Sequence, residues 1–550
     1  MTRRSLPAKW AARHRPRGWR HGCFLPGRLE EAVGSTSYER LSRLDEGFLE
    51  FETATTPMHV ALVGTFERAP LATKEGGVDI ERIRHWVASR LPAIPRYTQR
   101  LHTVPVFGDR VWVPDERFEL HYHVRHARLP RPGTAQQLKN RCAEILERPL
   151  DRARPLWELW IVEGVGEDRF AMVAKVHHCM VDGLGGVEIL ALLLGLEPFS
   201  GEIADVTAVA RSPRAPENGD LLREEVARRT RSLLGLGRDI GRALAEPRSL
   251  GRRVGESLTA TAALASGGLR RPPATPFNQP VGHHRRVDWV TVDLARTKTL
   301  ARSLGVSLND LVLALLATSL RRFLQERGQL TGFDELRIAV PVNVRTAETK
   351  RHIGNHASAW LLALPLDEPD VVRCALRIHD ETAALKRAGA AKGIELLTDA
   401  AEWATSGAMR VAVRLISRAR PYNLIVTNVP GPGVPLYLLG SRLLEAHPHL
   451  PLFEGQGLAV ALFSYEDRLS FGLNGDWDLL PDLDRLVSAI TASFAALVAR
   501  VGGGLEAENE RPEANGGSTA VGEPAAAEPR RASSRRSRDD APPRENAPDP

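Results

Sequence analysis

The sequence predicts an α/β fold in two blocks, because helical and strand-like patterns alternate on both sides of a basic middle segment. In the first block, Ile83, Val87 and Leu91 recur at the 3–4-residue spacing of one helical face. Two apolar runs separated by a Gly-Val-Gly-Glu-Asp turn, 157–163 and 170–176, indicate strands. The second block repeats the mixture, with helices predicted over 307–324 and 484–501 and strands over 336–340, 424–427 and 458–465.

Length and composition exclude several classes of protein. A chain of 550 residues with 43% apolar content supports two or three domains and rules out a wholly disordered or collagen-like protein. No uncharged apolar run reaches the ~18 residues that a membrane-spanning helix requires. The net charge of +7 favours anionic partners without choosing among them.

The cysteines argue against a disulfide scaffold or a zinc ribbon, because they are widely spaced and form no CxxC pair. They fit a reducing cytoplasm, where a free cysteine is normally a small buried apolar residue. The four are Cys23, Cys142, Cys179 and Cys374.

The ends and the middle of the chain differ in composition from the two blocks. Residues 1–36 are basic and lack the apolar core of a signal peptide, and 502–550 lack aromatic residues, so both are expected to be disordered. The segment 201–275 is basic and partly helical, which fits either a membrane-surface helix or a linker packed on its own domain. The folded blocks are therefore 37–200 and 276–501.

The sharpest local motif is HHxxxDG at 177–183, directly after a predicted strand. A neutral imidazole at a strand end, here His178, is suited to take a proton near pH 7, because its unperturbed pKa is about 6.5. Asp182 is expected to orient or structure the following turn, and Gly183 lets the backbone bend sharply. A second pair at 283–284 lacks the glycine and is interpreted as a structural or anion-contacting turn.

Other chemistries lack their usual patterns. Adjacent side chains on a strand point to opposite faces, so His177 and His178 are a poor zinc site. The sequence has no GxSxG elbow, no GxxxxGK loop and no GxGxxG after a strand, which disfavours serine hydrolases, nucleotide hydrolysis and dinucleotide redox chemistry. Acyl-enzyme formation on Cys179 remains a minor alternative.

Several motifs, taken together and in order, resemble those of the bacterial wax ester synthase/diacylglycerol acyltransferases, a branch of the HHxxxDG acyltransferases. The resemblance covers about 38–501. The motifs are 41–48 with 57–60, Pro-Leu-Trp at 155–157, HHxxxDG at 177–183, His-Arg-Arg at 284–286, Asn-Asp at 309–310, 341–345 with 354–355, and Asn-Val-Pro-Gly-Pro at 428–432 with 435–437. The amino-terminal extension, the carboxy-terminal tail and Asn343 depart from the family pattern.

The resemblance implies two chloramphenicol-acetyltransferase-like subdomains with the active site and a channel between them. It implies acyl-CoA as donor and diacylglycerol or a long-chain alcohol as acceptor, giving triacylglycerol or wax ester, with no bound cofactor and no metal. The expected location is cytoplasmic, peripheral at the inner membrane face or at lipid inclusions. Contact would be with anionic lipid and not with nucleic acid, because the arginines form no recognisable nucleic-acid-binding module.

Roles for individual residues follow from the motif and the resemblance together. His178 is the expected general base and His177 a supporting hydrogen-bonding or packing residue, while Asp182 shapes the loop in an ion pair with Arg345. Asn309 either caps or packs its helix or contacts the developing oxyanion, and Trp157 belongs to the core or to the wall of the acyl channel. Substrate binding or shaping of the site is assigned to Gly183, Trp157, Asn309, Asp310 and Arg345.

Two other functions remain open from the sequence. One is a condensation-type acyltransferase that takes its acyl group from a carrier protein. The other is a non-catalytic lipid-surface protein that keeps the scaffold, against which the intact HHxxxDG motif argues.

Overall fold

The computed structural model describes residues 38–180, 192–199, 201–203, 214–245, 272–343, 357–388 and 421–502. Their strands form one small sheet and two larger ones. The strands of the first block are β1 (Glu39–Arg40), β2 (His59–Glu67), β3 (Gln99–Thr103), β4 (Arg110–Pro114), β5 (Val124–Arg128), β6 (Trp157–Val165) and β7 (Arg169–His177). Those of the second block are β8 (Arg285–Asp293), β9 (Glu335–Asn343), β10 (Ala357–Pro365), β11 (Leu424–Val429), β12 (Tyr437–Leu438), β13 (Ser441–His449), β14 (Leu458–Tyr465) and β15 (Arg468–Asp476).

The two helices with predicted bounds are both present, close to the predicted positions. The predicted helix 307–324 begins one residue later, because Ser307 caps it by accepting a hydrogen bond from the Asp310 N–H. The predicted helix 484–501 ends in a π-helical turn from Val498 to Gly502. The helices are α1 (Arg43–Phe51), α2 (Ile80–Arg90), α3 (Leu120–His123), α4 (Ala135–Glu147), α5 (Asn218–Ala245), α6 (Leu294–Ser303), α7 (Leu308–Glu326), α8 (Val371–Ala388) and α9 (Leu483–Leu497).

The three sheets have different strand orders. The first large sheet has the order β12-β13-β2-β7-β6-β5, the second has β10-β9-β11-β14-β15-β8, and the small sheet has β1-β4-β3. In the second sheet β11 is parallel to both of its neighbours, whereas the strands flanking β7 are antiparallel to it. The helices α7, α8 and α9 share one apolar core with the second sheet, while α4 packs between the first sheet and β8.

Two strands of the second block complete the sheet of the first block. β13 pairs antiparallel with β2, and β12 continues that edge. β13 also lies against β15 so closely that a Cβ on Gly472 would come within 1.6 Å of the Pro448 carbonyl oxygen. Sequence periodicity shows which residues of a strand share a face, but not which strand pairs with it. The pairing of β13 with β2 was therefore not predicted.

The start of the middle helix packs on its own domain. Leu221 of α5 is fully buried beside Val111 and Val113 of β4, and the buried Glu225 accepts from Arg40. The packed-linker interpretation therefore holds for the first turns of α5. The rest of the predicted linker, at 204–213 and 246–271, and both terminal segments, at 1–37 and 503–550, lie outside the described residues.

No single helix among the described residues is both long and apolar enough to cross a bilayer. The pair α6 and α7 reaches that length and composition only when taken together, and the two helices are bent by 100° relative to each other. Within the described part of the chain, Cys142, Cys179 and Cys374 are free thiols, and all three are buried.

Candidate active site

The two histidines of the HHxxxDG motif stand at the carboxyl end of β7. This strand is held between β2 and β6, and every residue from Phe170 to His177 is buried. Lys175 anchors the carboxyl-terminal end of this strand, because its ammonium donates to the carbonyls of Ile145 at 2.8 Å and Arg148 at 2.5 Å. Burial lowers the pKa of Lys175 to about 8. The strand therefore supplies a rigid base for the residues that follow it.

His177 is fixed in one tautomer by its two hydrogen bonds. Its Nδ1 accepts from the Cys179 N–H at 3.1 Å, so the ring proton lies on Nε2 and is donated to the carboxylate of Glu52 at 2.9 Å. The side chain is only 1% exposed. Burial lowers the pKa of His177, with the Glu52 carboxylate opposing that shift in part. His177 is thus a buried supporting residue, in line with the role expected for it.

Glu52 gathers several groups around His177. Besides the His177 ring, its carboxylate accepts from the Met58 N–H at 3.0 Å and from Arg152 Nε at 3.1 Å. Burial acts to raise the pKa of Glu52, but these donors outweigh it and bring the pKa to about 2. The carboxylate is therefore ionised at neutral pH and ties the end of α1 and the loop before β2 to the end of β7.

His178 turns away from this network and opens a short 3₁₀ turn. Its N–H donates to the Met58 carbonyl at 2.8 Å, and its ring stacks on Phe48 of α1 with 3.8 Å between the ring centroids. The ring is half-buried, and its buried Nδ1 has no hydrogen-bond partner among the residues that the structure describes. Burial lowers the pKa of His178 to about 4, so the imidazole is neutral at pH 7 and able to accept a proton.

Cys179 does not have the properties of a nucleophile. The side chain is buried, and burial raises the pKa of its thiol well above the usual value. Because the thiolate and not the thiol attacks a thioester, the structure gives no support to acyl-enzyme formation on this residue.

The remaining residues of the motif lie outside the described residues. Asp182 and Gly183 fall in 181–191, and Arg345, the expected ion-pair partner of Asp182, falls in 344–356. Their assignments, and the channel expected between the two subdomains, stay predictions.

Trp157 lies in the core of the first block. The indole is 2% exposed, its Nε1 donates to the Tyr97 carbonyl at 2.8 Å, and its ring stacks on His123. His123 in turn donates from Nδ1 to the Trp157 carbonyl at 2.8 Å. These contacts agree with the core interpretation of Trp157, the first residue of β6.

Asn309 and Asp310 stand on the first turn of α7. Asp310 forms a capping box with Ser307, and its carboxylate also accepts from His379 Nδ1 at 2.8 Å and Thr382 Oγ1 at 3.0 Å on α8. Although burial alone would raise the pKa of Asp310, these hydrogen bonds lower it. The contacts of Asp310 thus join two helices of the second block, and Asn309 lies half-buried beside it.

The second histidine pair is part of a junction between the two blocks. His284 is exposed, with its Nδ1 3.2 Å from the Glu147 carboxylate on α4. The next residue, Arg285, is buried and donates to the carbonyls of Gly282, His284 and Thr55. This arrangement agrees with the interpretation of the pair as a structural turn.

We expect His284→Ala to keep at least half of the parental rate of CoA release. The exposed imidazole makes one surface contact, and such pairs contribute about 0–1 kcal/mol. A thiol-trapping assay under saturating acyl-CoA measures the rate. A loss of ten-fold or more would show that this turn takes part in turnover.

Sequence reasoning missed three residues around His178. Phe48, Met58 and Glu52 come from the end of α1 and the loop after it, next to or within the two opening motifs at 41–48 and 57–60. The motifs were noted for their resemblance only. The two motifs flank Glu52 in the sequence, but no local pattern connects this carboxylate with His177, which lies 125 residues further along the chain.

Comparison with known proteins gives one consistent result. Residues 41–312 match the family model of the wax ester synthase/diacylglycerol acyltransferase catalytic domain, and residues 353–498 match that of the WS/DGAT C-terminal domain. A putative diacylglycerol O-acyltransferase of Mycobacterium tuberculosis is 31% identical over 490 residues, which cover 87% of this chain and 93% of the relative.

Solved structures show the same fold at lower identity. The wax ester synthase/diacylglycerol acyltransferase from Marinobacter aquaeolei VT8 is similar with a TM-score of 0.60 and 24% identity, covering 84% of this chain and all of that one. A trichothecene 15-O-acetyltransferase from Fusarium sporotrichioides has a TM-score of 0.54 at 10% identity, covering 84% and 96%. The prediction of an α/β fold with two chloramphenicol-acetyltransferase-like halves is confirmed.

Proposed function

Because this chain belongs to the wax ester synthase/diacylglycerol acyltransferase family and is an acyl-CoA-dependent acyltransferase, we propose that it acylates the hydroxyl of diacylglycerol or of a long-chain alcohol. The donor is a long-chain acyl-CoA and the products are triacylglycerol and wax ester. The observation that carries the proposal is the neutral, half-buried ring of His178 at the end of β7, beside a second histidine that is already engaged by Glu52.

In the proposed mechanism His178 is the general base. The imidazole removes the proton of the acceptor hydroxyl as that oxygen attacks the thioester carbonyl, and the tetrahedral intermediate then expels CoA. The imidazolium returns its proton to the departing thiolate, so no covalent acyl-enzyme forms. Holding donor and acceptor together supplies up to about 7–11 kcal/mol of barrier lowering. CoA is a substrate, and the mechanism needs neither a resident cofactor nor a metal.

Phe48 and Met58 prepare His178 for this role. The aromatic ring of Phe48 restricts rotation of the imidazole, and the Met58 carbonyl fixes the backbone of His178. A base held in one orientation loses less entropy on reaching the reactive geometry.

An acceptor panel tests the proposed substrates. Purified protein is incubated with palmitoyl-CoA and, in turn, diacylglycerol, hexadecanol and monoacylglycerol, and the neutral lipids are separated by thin-layer chromatography. CoA release together with a new triacylglycerol or wax ester band supports the proposal. CoA release that depends on none of these acceptors would contradict it.

The acid limb of the pH profile is expected to lie below about pH 5. Burial lowers the pKa of His178 to about 4, so the base stays neutral at pH values where an ordinary histidine, with a pKa near 6.5, would already be protonated. We therefore expect kcat/KM to be flat from pH 8 to about pH 5 and to fall below it. Initial rates measure this, with tryptophan fluorescence as a check of folding at each pH. An acid limb centred near 6.5 would exclude His178, with its lowered pKa, as the titrating base.

The proposed acceptors also indicate where the protein works. Diacylglycerol and long-chain alcohols partition into bilayers and lipid inclusions, and the products are still less soluble in water. We propose that the chain acts peripherally, on the cytoplasmic face of the membrane or on lipid inclusions. The net charge of +7 favours anionic lipid surfaces.

A further inference from the structure

The hairpin between β3 and β4 ends in a strained, apolar apex. The Phe107 N–H donates to the Pro105 carbonyl at 2.8 Å, which closes a γ-turn around Val106, and Val106 has a φ of 69°. A β-branched residue in this region of φ is an outlier. Its side chain is 87% exposed, so packing in the core does not explain the choice of valine. Strain held at an exposed apolar residue points to a function at the apex.

Helix α5 is fastened to this apex. The guanidinium of Arg229 lies 4.1 Å from the centroid of the Phe107 ring and donates to the Asp109 carboxylate at 2.7 Å. From Arg229 the helix continues 16 residues to Ala245. At 1.5 Å per residue, this is about 24 Å of helix beyond the anchoring point. The apex is therefore in contact with α5 at Arg229, from which the outer part of the helix continues.

The exposed side of α5 combines arginines with apolar groups. Val226 is 48% exposed and lies one turn before Arg229. Arg223 is 81% exposed, and Arg231 is exposed as well. The sequence from Arg229 to Ala245 contains four arginines, a single acidic residue, and several leucines. This is the composition of a helix that lies in the interface of an anionic bilayer.

We propose that Val106 and Val226, with Arg223 and Arg231, form the surface by which this chain docks on an anionic lipid bilayer. The valines enter the headgroup region, and the arginines pair with lipid phosphates or carboxylates. This surface is called the lipid-docking surface. The inference rests on the proposed lipid acceptors, and it places the small sheet and α5 against the phase that holds them.

Vesicle binding tests the surface directly. The full chain is sedimented with phosphatidylcholine vesicles containing about one third phosphatidylglycerol, at about 0.1 M and about 1 M salt. Parental protein is expected to bind at low salt and to be released at high salt. Arg223→Gln with Arg231→Gln should weaken binding about five-fold for each arginine removed. Val106→Asp should weaken it by a similar factor or more.

Val106→Gly is the control for misfolding of the Val106 variants, because glycine accepts a positive φ without strain. This variant is expected to keep or gain thermal stability while binding vesicles less tightly. The matched controls are Leu376→Asp and the pair Arg322→Gln with Arg373→Gln, which remove one exposed apolar side chain and two arginines from α7 and α8. They should bind like the parent.

The surface and the proposed activity fail in different ways. If the parental protein does not bind anionic vesicles, or if the controls lose as much binding as the surface variants, the proposal of a lipid-docking surface is wrong. CoA release is measured in parallel with a short-chain diacylglycerol dissolved in detergent, and the surface variants should match the parent there. If the parent binds vesicles but releases no CoA, the proposed function is wrong and the lipid-docking surface is still supported.

Discussion

His178→Ala is expected to lower the rate of CoA release by about 10²–10⁴, the usual contribution of a positioned general base. The imidazole is the group at the end of β7 whose lowered pKa, about 4, keeps it neutral at pH 7. Alanine leaves the acceptor hydroxyl without a base, while the sites for acyl-CoA and acceptor remain. The loss therefore falls on kcat, with KM for palmitoyl-CoA within a few-fold of the parent. Stopped assays of free thiol with diacylglycerol or hexadecanol measure both constants.

The control for this variant is His284→Ala, which removes the same side chain from the other histidine pair. Circular dichroism and the thermal midpoint establish that both variants are folded. His178 contributes a stacked ring and no described side-chain hydrogen bond, so its removal should leave the fold intact. Turnover within ten-fold of the parent would remove His178 from the mechanism.

Glu52→Gln is expected to lower kcat by about 10²-fold, because a displacement of about 1 Å at a reacting group costs that much. The glutamine amide keeps one acceptor oxygen where the carboxylate serves His177, Met58 and Arg152. Its NH₂ group is itself a donor and would face at least one of the N–H groups that donate to the carboxylate. If the amide oxygen stays toward His177 and Met58, the NH₂ faces Arg152, and if the amide turns, the NH₂ faces His177 and Met58. In both orientations an uncharged group holds the His177 ring and the loop at Met58 less firmly than the carboxylate does. Each lost hydrogen bond to the charged group also costs about 1.5–3 kcal/mol of stability.

Arg152→Gln separates the two effects of that substitution. It removes the ion pair to Oε1 but leaves the His177 and Met58 contacts on Oε2, so kcat should stay within ten-fold of the parent. Glu52→Asp, which keeps the charge, should recover part of the activity lost in the glutamine variant. Rates are compared at a temperature where all variants are folded. A parental kcat in Glu52→Gln would show that Glu52 does not position the site.

Local patterns were sufficient for several helices and strands and for the choice of the catalytic candidate. The strand 170–176 and the HHxxxDG motif placed His178 at a strand end, and the structure has it directly after His177, the last residue of β7. The role of Glu52 could not be predicted from the sequence, because Glu52 lies 125 residues before His177 and a single carboxylate produces no periodic pattern. For the same reason the pairing of β13 with β2 left no trace in either strand's own sequence.

The exchange of β13 into the first sheet has a consequence for biosynthesis. β2 ends at Glu67 and its outer neighbour ends at His449, so 382 residues separate them. At a synthesis rate of roughly 5–20 residues per second, the ribosome needs about 20–80 s to deliver the missing strand. During that time β2 presents an open hydrogen-bonding edge, the kind of surface on which nascent chains aggregate. Chaperone demand in the cell should therefore depend on the carboxy-terminal half of the gene, although the HHxxxDG motif is encoded in the first.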